Sequence, residues 1–438
     1  MNSPVNWMVL GLLCWQMTDL AVLAANRKEP PPKSPPQIVR YEDFGARGDG
    51  VTDDIEAICK AHEFANQRGW PVRANDDAVY FIGRQKKTAV IETDTDFGSA
   101  RFVIDDTDVE DRTAQVFEVR STLPPSAMEN IPSLRRNQPR LDTTLPHRSL
   151  VVAQNSSVRH FIRRGLNQDS GFPQTDIFIV EKDGTIDPDT PIVWDFRQVT
   201  GMTAHPIDPV PLTVRGGRFT TLANRAEPKY TYYARGIAIK RSNVTIQDLQ
   251  HQITGEGEQG APYGAFLRIS DCADVTVRDS IFSGHKTYQT IGSAGLPVSM
   301  GSYDLSVWRS ARISFINCSQ FNDIHDRTRW GIMTSNYAKQ LLYDRCTLSR
   351  FDAHKGVFGA TIQDSSIGHG GIQIIGGGTF TVKNTTVRAA NFINLRNDYG
   401  STWNGDLSIQ NCTFIPTAPG PGGANILSGE NDGTHDFG

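Results

Sequence analysis

Val244-Thr-Ile-Gln-Asp-Leu249 returns six times with its pattern kept: Val275-Thr-Val-Arg-Asp-Ser-Ile281, Ile313-Ser-Phe-Ile-Asn-Cys-Ser319, Leu341-Leu-Tyr-Asp-Arg-Cys-Thr-Leu348, Ala360-Thr-Ile-Gln-Asp-Ser-Ser-Ile367, Phe380-Thr-Val-Lys-Asn-Thr-Thr-Val387 and Leu407-Ser-Ile-Gln-Asn-Cys-Thr-Phe414. Each copy is a short alternating strand that stops at one polar residue and resumes on a small or apolar one, a period of two that excludes helical repeats. The stopping positions are Asp248, Asp279, Asn317, Arg345, Asp364, Asn384 and Asn411, spaced by 31, 38, 28, 19, 20 and 27 residues. Irregular spacing with a constant local pattern is what a parallel β-helix requires. Its strands stack in register about 4.8 Å apart while the loops between them vary freely. Asn and Asp suit a left-handed corner and can bond to the next coil. The repeat therefore predicts an all-β, right-handed parallel β-helix.

Cys318, Cys346 and Cys412 follow the corner at one coil position, so they are expected to point inward as a stack with Ser and Thr neighbours. With Cys14 in the leader-like segment described below, no disulfide framework is expected. The sequons at Asn317, Asn384 and Asn411 fall on the corner ladder and read as structural.

The chain has 438 residues, 39 of them glycine, 21% charged residues and a formal net charge of -4. That balance argues against a nucleic-acid or anionic-membrane partner, so any basic site must be a local cluster. Residues 6–15 form an apolar run followed by Ala21-Val-Leu-Ala-Ala25, the pattern of a secretory signal over 1–25 without a basic start. A proline-rich linker follows over 26–37, and the helix domain is expected over 38–438 with an insertion rich in Pro and Arg around 120–210. The expectation is a secreted or periplasmic monomer.

The domain opens with Tyr41-Glu-Asp-Phe-Gly-Ala-Arg-Gly-Asp-Gly-Val-Thr-Asp-Asp54 and a helix-like stretch from Ile55 to Gln67. Thr52, Asp53 and Asp54 are N-cap residue types before Ile55, Ile58 and Ala61. This opening closely resembles that of the pectate-lyase-like superfamily, also called pectin-lyase-like. The resemblance implies that the motif forms the first strand and turn and that the short helix caps the open end of the solenoid. It implies the fold and leaves the reaction open, because this fold hosts lyases, hydrolases and adhesins.

A filled β-helix can bind ligand only along an outer face walled by loops. Aligning Thr328-Arg329-Trp330-Gly331-Ile332, Ala353-His354-Lys355-Gly356-Val357 and Gly368-His369-Gly370-Gly371-Ile372 on their glycines puts Arg329, His354 and His369 in one column, flanked by His325, Asp326, Arg327, Asp352 and Lys355. Tyr288 and Gly301-Ser-Tyr303-Asp304 extend the face on one side, and Arg396, Asn397, Asp398 and Tyr399 on the other. Each histidine taken singly reads as a surface or turn residue, and His62, His147, His160 and His251 are left so.

The column suits β-elimination on a uronate polymer, in which a cation neutralises the carboxylate, a base takes the C5 proton and an acid protonates the leaving O4. The expected catalytic set is His354 as base, Arg329, Arg327 or Lys355 as neutraliser, and Tyr303 or His325 as acid. Arg327, His369, Asp352, Arg396, Tyr288 and Trp330 are expected to bind substrate. Pectic, alginate-like and glycosaminoglycan polymers such as chondroitin sulfate are all open. Many lyases of the superfamily that the chain resembles use calcium in place of an arginine. No dense carboxylate set appears on the aligned strands, so a metal-free reaction is expected with calcium as the alternative. The rivals are an inverting hydrolase of the polygalacturonase type, with Asp326 and Asp352 as a substitute pair, and a non-catalytic glycan-binding solenoid.

Overall fold

In the computed structural model the described residues are Met1, 37–399, 403–417 and 423–429. The leader-like run and nearly all of the proline-rich stretch lie outside them. Among the described residues no helix is long and apolar enough to cross a membrane.

The repeat strands stack in parallel along one face, and their first residues pair in the order Val244, Val275, Ile313, Leu341, Ala360, Phe380 and Leu407. A second face holds the strands after the corner, from Gln250–Thr254 to Thr413–Phe414. A third includes Leu267–Ser270, Leu305–Trp308, Met333–Asn336, the middle of Thr347–Gln363 and of Ser366–Lys383, and Ile393–Leu395. Parallel neighbours joined by these crossovers wind right-handed.

All seven corner residues are left-handed, with φ from 50° at Asn384 to 57° at Asp248. Arg345 adopts the same conformation, at φ 53°. The corner side chains tie the coils together: Asn317 Nδ2 donates to Asp279 Oδ1 at 2.7 Å and Asn384 Nδ2 to Asp364 Oδ1 at 2.9 Å. The next position is inward. Cys318 and Cys346 are buried, Cys412 is partly buried, and the five described cysteines are free thiols. Ser365, at the same level, accepts the Cys346 amide at 2.9 Å.

The helix Ile55–Arg68 covers the first coil with Ile55, Ala57, Ile58, Ala61, His62 and Ala65 and ends at Gly69 in the left-handed region. Its start differs from expectation. Asp54 occupies the N-cap, but its carboxylate accepts the amides of Arg47 and Gly48 at 2.7 and 3.0 Å, leaving Asp53 to accept Ile55 N at 3.2 Å. Asp54 thus braces the glycine-rich turn, and Asp53 supplies the cap. His62 is a core residue whose Nε2 meets Tyr41 Oη at 2.9 Å.

Within the proline- and arginine-rich stretch, the strands Ser126–Ala127, Ser149–His160, Phe172–Val180 and Gly201–Pro206 form an antiparallel sheet with its own core around Val151, Phe178 and Phe196. The opposite side of this sheet, Leu150, Val152, Ile177 and Ile179, packs on Ala273 and Ala311 of the solenoid. The dock is sealed by the buried Lys339–Asp176 pair at 2.7 Å, by Lys339 Nζ donating to Pro191 O, and by Arg148 reaching Asp274 at 3.0 Å. Docking matters because it carries the loop after His160 over the third face.

Candidate functional site

A cavity of about 370 Å³ opens on the third face. Its lining comes from consecutive coils: Tyr303, then Trp330, then Arg350 and His354, then Gln373, then Asn394 and Arg396. Four coil steps of about 4.8 Å make a floor roughly 19 Å long. The inserted sheet adds Arg163 and Asn167, and the loop before the strand Ile237–Lys240 adds Tyr230 and Tyr232.

Asp352 organises the floor. It is fully buried, and its carboxylate accepts Arg350 Nη2 at 2.8 Å and Arg396 Nη1 at 3.3 Å. Arg396 also grips Asp398 through two hydrogen bonds, of 3.2 and 2.8 Å, and Arg163 reaches the same carboxylate at 2.8 Å. Burial opposes ionisation of Asp398, but Arg396 and Arg163 outweigh it and hold the carboxyl below its usual range. Three guanidiniums, Arg163, Arg350 and Arg396, thus face two carboxylates, Asp352 and Asp398. The surplus is positive. Arg350 Nε makes no hydrogen bond among the described residues, and its guanidinium lies 5.2 Å from the Trp330 ring centre.

His354 sits beside this cluster. Its Nδ1 lies 2.9 Å from Asn336 Oδ1, so Nδ1–H donates and Nε2 is the acceptor, 3.3 Å from the Tyr399 hydroxyl. Burial, then Arg396, Lys355, Arg163 and Arg350, pushes its pKa well below the usual value. The ring is a neutral base at neutral pH. Tyr303 keeps its proton too, because burial first and then Asp352 raise its pKa. Lys355 is buried behind His354, its amine 3.3 Å from the Phe172 ring centre, and burial lowers its pKa to about 7.

Of the residues singled out from the sequence, Tyr303, Trp330, His354 and Arg396 line this cavity, Asp352 lies beneath it and Lys355 behind it. Asp398 lines it too, and the Tyr399 hydroxyl lies beside His354; the remaining residues are elsewhere. Arg329 binds Glu256 at 3.1 Å and Gly284 O at 2.9 Å, and Tyr288 donates to Gly257 O at 3.2 Å. His325 lies in the loop before Trp330, and His369 lies in the strand Ser366–Lys383, where its backbone N donates to Ile324 O at 3.0 Å. Arg327 is exposed and reaches Thr417 at 3.1 Å.

The expected column of Arg329, His354 and His369 does not form. Gly371 pairs with Arg350, and a Cβ at Gly331 would lie 2.5 Å from the Arg350 side chain, so the true stack is Gly331, Arg350, Gly371. Gly356 lies further along the same continuous strand, at φ 63° beside Tyr337. The coil between them has no glycine at the shared level, so aligning on glycine displaced His354. Its actual neighbour on the preceding coil is Asn336, which pairs at the level of Lys355.

Sequence reading also passed over Arg350, Arg163 and Asn336. Arg350 was not legible, because the register shifts between Leu348 and Arg350, and the second-face pairing continued forward would have set it opposite His369 and not Gly371. Arg163 carries no signal either, since only the docked sheet brings it here. A second buried network was missed as well. Asp304 receives His251 Nδ1 and His285 Nε2 at 2.9 and 3.0 Å, with Glu256 3.6 Å from His285 Nδ1. It is sealed inside the coils, and His251 stacks on Phe266 at 3.8 Å.

No family profile matches the chain, and no curated protein matches it in sequence. Solved structures that resemble it include the tailspike of Pseudomonas phage phi297, 12% identical over 87% of this chain and 76% of that one with a TM-score of 0.43. The A-module of a mannuronan C-5 epimerase from Azotobacter vinelandii is 11% identical over 90% and 99%, with a TM-score of 0.36. Endo-xylogalacturonan hydrolase from Aspergillus tubingensis is 10% identical over 89% and 95%, also with a TM-score of 0.36. At such scores these likenesses say nothing about chemistry. By its stacked parallel coils and its helical N-terminal cap, the chain is a right-handed parallel β-helix protein.

Proposed function

We propose that the protein cleaves a uronate-containing acidic polysaccharide by β-elimination in the cavity on the third face. The observation that carries this reading is a neutral, oriented imidazole, His354, set among a surplus of guanidinium charge. In the proposed reaction the substrate carboxylate lies against the Arg350 guanidinium in the cavity wall, so that charge developing on the enolate is stabilised where it forms. His354 Nε2 takes the C5 proton after the substrate displaces the Tyr399 hydroxyl. The C4–O bond then breaks, and Tyr303, protonated and facing the same cavity, gives its proton to the leaving oxygen.

An inverting hydrolase would need a protonated carboxylic acid and a second carboxylate free to activate water. Asp352 and Asp398 are each held by two arginines, and Asp326 is a turn residue bonded to Thr328. These placements favour elimination. The same pairing leaves neither carboxylate open to a divalent cation, which supports a metal-free reaction. Export to the cell exterior or periplasm is part of the proposal, as the place where such polymers are met.

The test incubates the purified protein with pectic, alginate-like and glycosaminoglycan polymers, with and without chelator. Ultraviolet absorbance of a 4,5-unsaturated uronate and new reducing ends are followed together. Both signals, insensitive to chelator, are expected. Reducing ends without absorbance would replace elimination by hydrolysis. Neither signal on any polymer would leave a glycan-binding solenoid as the better account.

A further inference from the structure

The loop 163–169 is a closed, internally bonded strap. Asp169 N donates to Arg163 O at 3.1 Å, Gln168 N donates to Gly165 O at 3.2 Å, and Asp169 Oδ1 accepts Arg163 N at 3.2 Å. It is fastened at three places along the solenoid. Asn167 Nδ2 donates to Tyr230 Oη at 2.8 Å. Ser293 Oγ donates to Gln168 O at 2.7 Å, and Ala294 N to Leu166 O at 3.2 Å, both from the hairpin of Gln289–Ile291 and Pro297–Ser299. Arg164 N donates to Asp398 O at 3.0 Å, beside the Arg163–Asp398 ion pair.

These anchors span the cavity lengthwise. Tyr230 and the hairpin belong to coils before Tyr303, whereas Asp398 follows the last strand of the cavity floor. The upstream end is filled by the Tyr230 and Tyr232 rings, stacked 6.3 Å apart, with Ser299 and Asn167 completing the wall. On the far side of the strap a second hollow, of about 550 Å³, shares Arg163, Asn167, Ser299 and Asp398 with the first. The strap therefore divides what would otherwise be one continuous trough.

We propose that the strap and the Tyr230–Tyr232 wall close the upstream end of the groove, so that the protein trims its glycan from a chain end and does not cut internal bonds. A chain laid along the outer face of a solenoid leaves at both ends of the groove, whereas here the coils before Tyr303 end in a wall. This inference rests on the proposed glycan cleavage, and it adds the mode of attack and the residues that set it.

The experiment follows viscosity and bonds cut together on the polymer that gives activity, and sizes the products from the earliest times. With the wild-type protein one short product is expected from the outset, while viscosity hardly falls. In the variant Tyr230→Phe/Ser293→Ala, which removes two strap fastenings, the viscosity lost per bond cut is expected to rise several-fold. The wild-type measurement decides even where that variant does not fold. Early viscosity loss and a broad ladder of products from the wild type would overturn the inference while leaving glycan cleavage standing. A folded variant with an unchanged product profile would also overturn it. No cleavage of any polymer would remove both readings.

Discussion

Nδ1 of His354 lies 2.9 Å from the side-chain oxygen of Asn336, a residue one coil earlier in the solenoid. The amide selects the tautomer that leaves Nε2 basic, and it does so across the stacking direction, where the spacing between coils is set by backbone hydrogen bonds. His354→Gln should lower kcat by about 10²–10⁴ at nearly unchanged melting temperature, as expected for loss of a positioned base. Asn336→Ala should lower kcat with little change in KM, because a freed ring still meets bound substrate in the wrong tautomer. Steady-state kinetics beside thermal melts separate these outcomes, and full activity in His354→Gln would remove that residue from the chemistry.

Arg350 lines the cavity with its guanidinium charge while one of its Nη atoms is spent on Asp352. Arg350→Lys keeps the charge but loses the planar fork, so kcat/KM is expected to fall by about 10²-fold. Because an anionic polymer is drawn by the guanidinium surplus, kcat/KM of the wild type should also fall as salt rises. A rate indifferent both to Arg350→Lys and to ionic strength would place the carboxylate elsewhere.

His354 is held neutral by burial and by the surrounding cations, and its pKa lies well below 6.5. Its basic form therefore persists on mild acidification, and the acid limb of kcat/KM is expected well below pH 6.5. Lys355 loses its charge near pH 7. Above that pH one cation disappears from behind the site, so KM for a polyanion should rise. A pH–rate profile measured from acid to alkaline conditions checks both limbs.

His285 bridges Asp304 and Glu256 inside the coils. Burial works against its charge, but Asp304 and Glu256 win and raise its pKa to about 9. The folded protein thus holds a proton that the unfolded chain releases near pH 6.5. Its stabilising contribution is complete below that pH and is lost as the pH rises through about 9. His285→Gln should flatten the alkaline fall in melting temperature. An equally steep fall in the variant would show that another group is responsible.

Arg345 holds a corner that Asn or Asp holds on the other repeats, at φ 53°. The Arg345 end of its ion pair with Asp344 is exposed, while the buried Asp344 carboxylate keeps a second partner in Gln363 Nε2 at 3.1 Å, so little is lost with the Arg345 side chain. Arg345→Gly is expected to stabilise the fold by about 1 kcal/mol, since glycine meets no Cβ penalty in the left-handed region. Chemical denaturation measures this, and destabilisation would mean that the Arg345 side chain matters more than its backbone.

What the amino-acid sequence determined by itself was the solenoid and the register of its repeat strands. Coil stacking places chemically like residues on like, from Val244 to Leu407, so the pattern of one coil predicts the next and its corner conformation. The same periodicity explains the Cys318 and Cys346 core positions. The cavity was only partly legible. Tyr303, Trp330, His354 and Arg396 were picked out by side-chain chemistry, but their grouping was not, because glycines in coils of unequal length gave a false common level. Only the tertiary structure decided that Asn336 orients His354, that Asp352 is spent on two arginines, and that Arg163 and the strap reach the site from a docked sheet. Local pattern records what is repeated within a coil. Contacts across coils of irregular length, and from an inserted sheet, depend on packing that no single stretch of sequence contains.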